Sequence, residues 1–297
     1  MKLSECRPVV FGLALVVTSS VWRLGQPARA QTTLPLEPAS RSGQSITPAF
    51  EGWYPNPDGS FSLLLGYYSR NATQTVDIPI GPANRIEPGG PDQGQPTHFL
   101  PGRQWGVFTI QIPKDFGENK LTWTLTANGK TTVIPLHLNP LWEVKPFREA
   151  SGNTPPFLAF SAAGPFVQGP IGPRAQLATR LPEPVALVVW AADDAKAPLA
   201  GPRPRSPAVS LGWSKFRGPG TVTFADEHPS VEKADCKAPE GTAFSGRATT
   251  TAKFSEPGDY ILRLVANDWS GDGGRGFQCC WSNAQVKITV KAATARE

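Results

Sequence analysis

Short runs of alternating apolar and polar residues dominate this chain, and helical spacing of apolar positions at i, i+3, i+4 is hard to find in it. The alternation is clearest in LTWTLTANGKTTVIPLHL. Leu121, Trp123 and Leu125 share one face there, Asn128-Gly129 supplies a type I′ turn, and Val133 begins the return strand. SFSLLLGYYSR (Ser60–Arg70) follows the turn NPDG and reads as a strand, as do Thr75–Ile80 and Trp105–Ile112. Further on, PVALVVWAAD, VSLGWSKFRGPGTVTF, the segment Tyr260–Ala266 and QVKITV supply strands broken by Pro, Gly, Asn and Asp. These elements predict an all-β protein of two antiparallel β-sandwich, immunoglobulin-like domains in series.

The predicted boundaries follow the breaks in that pattern. Residues 46–146 form the N-terminal sandwich, 147–156 a linker, 157–292 the second sandwich and 293–297 a tail. Gly81–Gln104 (GPANRIEPGGPDQGQPTHFLPGRQ) is long for a connection without strands of its own, so it is a candidate functional loop. Residues 31–45 are polar and proline-containing, a lead-in to the first strand.

Composition agrees with this picture, with 32 prolines and 29 glycines against a single methionine. The first thirty residues change the charge argument. Lys2 and Arg7, an apolar run from Val9 to Val21 and Ala28-Arg29-Ala30 form the three parts of a secretory signal peptide. The expectation is export to the periplasm or beyond, with no transmembrane segment after leader cleavage. Removing Lys2, Arg7, Arg23 and Arg29 against Glu5 takes the net charge of +5 down to +2. No stripe of Lys and Arg interleaved with aromatics occurs, so nucleic acid is excluded as a partner.

Cys6 leaves with the leader, and three cysteines remain: Cys236, Cys279 and Cys280. In an oxidising compartment the preferred arrangement joins Cys236 to one of Cys279 or Cys280. A vicinal bond between Cys279 and Cys280 and a reactive or metal-binding thiol cluster are the alternatives. Gly271, Gly273 and Gly276 match G-x-G-x-x-G, but β-like sequence follows where a dinucleotide site requires a helix. DWSGDG places Asp268, Ser270 and Asp272 as oxygen donors of a calcium loop, although Cys279 stands where the bidentate Glu belongs. No cofactor is expected beyond the possibility of calcium at these donors.

Catalytic patterns are sparse. The three histidines, His98, His137 and His228, show no metal spacing, and no G-x-S-x-G occurs. His98 and His137, both in the first predicted domain, could meet in space as a metal or acid–base pair. Aromatic residues are the stronger clue. Trp53, Tyr54, Trp105, Trp269 and Trp281 fall at turns or strand ends, with His98 and Arg103 in or near the long loop. Exposed rings there suit a sugar or a protein partner, whereas inward ones cap the sandwiches or fill a seam between them. Asn71-Ala72-Thr73 is a glycosylation sequon, consistent with a surface loop.

Phe254–Asp268 reads F-x-x-x-G-x-Y-x-L-x-L-x-A-x-D, preceded by GPGTVTF and followed by QVKITV. This resembles the last strands of PKD-type and related immunoglobulin-like domains, over about the last third of the chain. The whole sequence also resembles a group of exported bacterial proteins sharing ITPAFEGWYPNPDG, GQPTHFLPGRQWGVF and GFQCCW. The resemblance implies export and fold and assigns no activity. The expected function is a non-catalytic binding or spacer protein recognising a glycan or another exported protein. An exported hydrolase using Gly81–Gln104 and a structural envelope component are the alternatives.

Overall fold

The computed structural model describes residues 40–149, 151–196, 208–270 and 279–294. The leader and the lead-in up to residue 39 lie outside the described residues, as does the glycine motif at 271–276. The protein is all-β, built from several sheets, and among the described residues its only helical element is a 3₁₀ turn at Pro140–Trp142. No helix among the described residues is long and apolar enough to cross a membrane.

The N-terminal half contains β1 (Ile46–Pro55), β2 (Phe61–Ser69), β3 (Val76–Asp77), β4 (Asn84–Glu87), β5 (His98–Phe99), β6 (Gly102–Ile112), β7 (Leu121–Ala127) and β8 (Lys130–Leu136). Strands β1-β2-β6 make one antiparallel sheet, β4-β7-β8 a second, and β3-β5 a short ribbon. Alternation explains the core. Leu63 and Leu65 of β2, Phe108 and Ile110 of β6 and Trp123 and Leu125 of β7 all bury into one cluster. The Phe108 and Trp123 rings meet edge to face at 5.2 Å, the favoured geometry for a pair of aromatic quadrupoles. The Asn128-Gly129 turn has positive φ at both residues, 48° and 78°, as a type I′ hairpin demands.

The C-terminal half contains β9 (Phe157–Ala159), β10 (Val167–Gln168), β11 (Arg174–Arg180), β12 (Val185–Asp193), β13 (Ser210–Arg217), β14 (Val222–Phe224), β15 (Glu232–Lys233), β16 (Phe244–Phe254), β17 (Gly258–Asn267) and β18 (Trp281–Lys291). Its two sheets run β10-β9-β12-β16-β14, with β15 on β16, and β11-β18-β17-β13. Every pairing is antiparallel except β11 with β18. Period-two alternation is visible in β12, where Val185, Leu187, Val189 and Ala191 share one core with Leu262, Leu264, Val286 and Ile288 of the other sheet.

Three departures from the sequence pattern matter. Gly81–Gln104 is not a strandless loop, because it supplies β4, β5 and the first residues of β6. The strand expected at Thr75–Ile80 shrinks to Val76–Asp77. Phe216 of β13 packs into the core of the N-terminal half. A register shift between Lys215 and Arg217 accompanies that placement, since a bulge re-aims the side chain inside it. The two halves share one compact unit, 39–297.

Candidate functional site

The seam between the halves is polar at its centre and carries the most elaborate network in the molecule. Glu51 occupies an irregularity where β1 slips against β2 between Phe50 and Gly52. Its carboxylate is only 5 % exposed. It accepts from Arg103 Nη2 at 2.6 Å and from the Gly106 N–H at 2.7 Å. Gly66 makes room for it, since a Cβ there would lie 2.2 Å from Glu51 Oε1. Burial pushes the Glu51 carboxyl above its ordinary value, while Arg103 and the Gly106 amide pull it back.

Gly106 joins this network to the other half. Asn283 of β18 donates from Nδ2 to the Gly106 carbonyl at 2.7 Å and to Pro170 O at 2.8 Å. Arg263 of β17 donates to Asn283 Oδ1 at 3.0 Å and to Trp105 O at 3.3 Å. Farther along, Thr97 N donates to Phe216 O at 3.1 Å. Arg217 grips both oxygens of Asp92 at 2.9 and 2.7 Å. That pairing holds the Asp92 carboxyl below its usual range. A two-pronged guanidinium–carboxylate contact fixes direction as well as distance.

Beside this seam a cleft of about 1220 Å³ opens along β13. One wall is Asp77, His98 and Gln104 from the N-terminal half, and the other runs from Leu211 to Lys215 and over His228. Asp77 ties the walls together. His98 Nδ1 lies 2.7 Å from Asp77 Oδ1, and Lys215 Nζ lies 3.2 Å from the same oxygen. Lys215 also donates to Gly220 O at 3.0 Å. With Nδ1 turned to the carboxylate, the neutral ring keeps Nε2 as an acceptor. Burial holds the His98 ring below its ordinary pKa, against the opposing pull of Asp77.

The floor of the cleft is aromatic, its reachable ring being the half-buried Phe224, since Trp213 is only 3 % exposed. Trp213 and Phe224 lie nearly parallel, with centroids 6.5 Å apart. Two buried polar atoms in the lining, Trp213 Nε1 and Asn267 Oδ1, have no hydrogen-bond partner. A buried donor or acceptor left unmade costs about 1–3 kcal/mol.

The aromatics and cysteines singled out in the sequence fall in different places. Trp281 is 1 % exposed and lies against Gly106 in the seam. Trp53 and Tyr54 are buried within the N-terminal half, Trp53 donating to Asn139 O at 2.8 Å. Burial lifts the Tyr54 hydroxyl to about 12. None of these three presents a ring to solvent. Trp105 is half-buried with the Arg103 guanidinium 3.8 Å above its ring, and Trp269 is half-buried at the other end. His98 and His137 do not meet, because His137 packs on Phe50 and Trp142 instead. The sequon does lie on a surface loop, with Ala72 and Thr73 exposed, but Asn71 itself is buried, its carboxamide bonded to Gln44 and Ser69.

The preferred disulfide is corrected. Cys279 bonds Cys280, and Cys236 is a free thiol. The segment after β15 is tied to the β16 sheet and to Ala162, whereas Cys279 and Cys280 open β18 in the opposite sheet. The cysteines therefore belong to different layers. In the proposed calcium loop, Asp268 Oδ1 accepts from the Ser270 amide and hydroxyl at 2.7 and 2.6 Å, and Asp272 lies outside the described residues. Among the described residues no three His, Cys, Asp or Glu side chains form a metal cluster.

Asp77, Lys215 and His228 are cleft residues that sequence reasoning did not select. A lysine inside the apolar strand SLGWSKFR was the one available signal for Lys215. Asp77, between Val76 and Ile78, and His228, in a polar turn, matched no site pattern.

Comparison with known proteins adds little. No family model matches the chain, and no curated protein matches it. Among solved structures, domains 4 and 5 of the S-layer protein SbsC align at 10 % identity, covering 84 % of this chain and 98 % of that one, with a TM-score of 0.24. The Yersinia pseudotuberculosis adhesin InvE aligns at 11 % identity over 84 % of this chain and 59 % of that one, TM-score 0.21. CfaE, the adhesive subunit of the Escherichia coli CFA/I fimbria, aligns at 11 % over 86 % and 81 %, TM-score 0.23. Likeness of that degree carries no argument about this chain.

Proposed function

We propose that this protein is an exported, non-catalytic binding protein of two immunoglobulin-like halves, the second PKD-like, which holds a glycan chain in the cleft along β13. The observation that carries the reading is the cleft itself. Both halves build it, and the Lys215–Asp77–His98 contact fixes its walls. An aromatic floor with polar groups converging from the sides suits a sugar ring, which offers an apolar face and a belt of hydroxyls. A wall held by internal ion pairs needs little reordering when a ligand arrives, which lowers the cost of binding.

One observation favours an exported hydrolase instead. The Asp77–His98 contact resembles an oriented general base, with Nε2 available to take a proton. His98 nevertheless makes its hydrogen bond to Asp77 alone, and no hydroxyl or thiol nucleophile is paired with it among the described residues.

Titration of the protein with soluble oligosaccharides and cell-wall glycans separates these readings. In the binding reading, a bound glycan loses about tenfold in affinity, some 1.4 kcal/mol, on Lys215→Met or His98→Gln, and it is released intact. Cleavage of the glycan, abolished by His98→Gln, would establish the hydrolase. Affinity unchanged in both variants would place the ligand outside the cleft.

A further inference from the structure

A second polar cluster lies just past the end of β17, next in the chain to Asn267, and none of its carboxylates lines the cleft. Asp193 ends β12 on the face that carries Leu187, Val189 and Ala191 into the core. Asp268 follows β17 on the face of Leu264 and Ala266. The two carboxylates thus enter the space between the sheets from opposite layers. Asp193 is 1 % exposed, and Asp268 is also buried.

Asn153 reaches one of them directly. Its Nδ2 donates to Asp268 Oδ2 at 2.6 Å, and covalent geometry then keeps its Oδ1 within about 5 Å of that carboxylate. The neighbouring chain runs beside β12, where Phe157 pairs with Ala192 and Thr154 Oγ1 donates to Asp194 at 3.1 Å. Two of these oxygens, Asp193 Oδ2 and Asn153 Oδ1, are buried with no hydrogen-bond partner. Lys196, the nearby cation, pairs with Asp194 at 3.2 Å, and neither Asp193 nor Asp268 has an ion pair among the described residues. The disulfide steadies the other side: Cys280 N donates to Ser270 Oγ at 3.2 Å, and Cys280 Sγ sits 3.6 Å from Asn153 O.

Two buried carboxylates with no ion pair among the described residues, beside an amide oxygen without a donor, form an all-oxygen donor set. Such a set matches a hard divalent ion, and calcium tolerates irregular mixtures of carboxylate and amide oxygens better than magnesium does. We propose that Asp193, Asp268 and Asn153 Oδ1 bind Ca²⁺ and that the ion ties the two sheets together at this end. The site differs from the loop motif suggested by DWSGDG, because it recruits Asp193 and Asn153 from remote segments and uses Asp268 alone of that motif. It is independent of the glycan reading.

Tb³⁺ serves as the probe, since Trp269 adjoins Asp268 in the chain and can sensitise its emission. The full chain is expected to give saturable Tb³⁺ emission that Ca²⁺ displaces with a Kd of roughly 10⁻⁴–10⁻³ M, the range of extracellular sites. Saturating Ca²⁺ should raise the melting midpoint by about 5 °C. Asp193→Asn keeps an oxygen for the Ala195 N–H and should cut the emission about tenfold while abolishing the Ca²⁺-dependent midpoint shift. Asp268→Asn supplies the same reading should the first variant misfold. Emission and midpoint shift that survive in both variants, or a wild-type midpoint indifferent to Ca²⁺, would overturn the site.

Discussion

Gly106→Ala is expected to lower stability by about 2–5 kcal/mol, the sum of a conformational and a steric cost. Gly106 holds φ at +48°, in the left-handed region. A side chain there costs about 1–2 kcal/mol in backbone conformation alone. The steric part is larger. An added Cβ would sit 2.0 Å from Trp281 Cζ2 and 2.6 Å from Cε2, both atoms of a rigid indole buried in the seam. The indole cannot retreat without disturbing the contacts of Gly106 with Glu51, Asn283 and Arg263. Chemical denaturation checks the size of the effect. The pair Gly106→Ala with Trp281→Ala should cost clearly less than the two single changes added together, because the collision is gone. Strict additivity would mean that the two residues do not press on one another.

Arg103→Ala has the second large effect, about 3–5 kcal/mol at neutral pH, the usual cost of stranding one partner of a buried ion pair. Arg103 Nη2 is in contact with the Glu51 carboxylate, the Gly106 N–H donates to its other oxygen, and Arg263 adds a weaker favourable charge. The pH dependence fixes the sign. Burial already holds the folded-state pKa of Glu51 above its ordinary 4.5, with Arg103 opposing that rise, so removing Arg103 lifts it further. A carboxyl with a raised folded pKa is tolerated when protonated and costs stability as pH climbs through that value. The variant should therefore approach the wild type in acid and fall away from it towards neutrality. Glu51→Gln in the Arg103→Ala background should recover most of the loss, since no charge is then buried. Urea melts across a pH series measure both. A penalty that does not vary with pH would show that packing of Arg103 on Trp105, rather than the charge of Glu51, sets it.

How much of this was legible beforehand varies by element. The Leu121–Leu136 hairpin could be drawn from alternation and Asn-Gly alone, because its pairing is local. β12, β17 and β18 were visible for a similar reason, each offering a regular apolar face to one core. β4 and β5 were hidden within Gly81–Gln104. They are short, and β4 exists by virtue of β7, far downstream in the chain, which supplies its partner. Phe216 could not be assigned to the other half's core, since a bulge turns it out of the alternation that its neighbours obey.

The site was less legible than the fold. Trp53, Tyr54 and Trp281 share amphipathic chemistry with any sugar-binding ring, and only the packing of Trp281 on Gly106 or of Trp53 on Phe61 shows them turned inward. His98 was named from its loop, but the carboxylate that orients it and the lysine that closes the cleft come from β3 and β13. Their meeting depends on how the two halves dock, which no local pattern encodes. The cysteines show the same limit. Spacing allowed Cys236 to pair with either partner, and membership of opposite sheets decided against both.

Hydrogen–deuterium exchange with and without a saturating bound glycan tests most directly whether the cleft along β13 is the binding site. The account predicts slower exchange at 210–217 together with 75–78 and 97–104, because the ligand contacts both walls at once. Protection confined to the exposed Leu141–Trp142 surface, with both cleft walls unchanged, would contradict it.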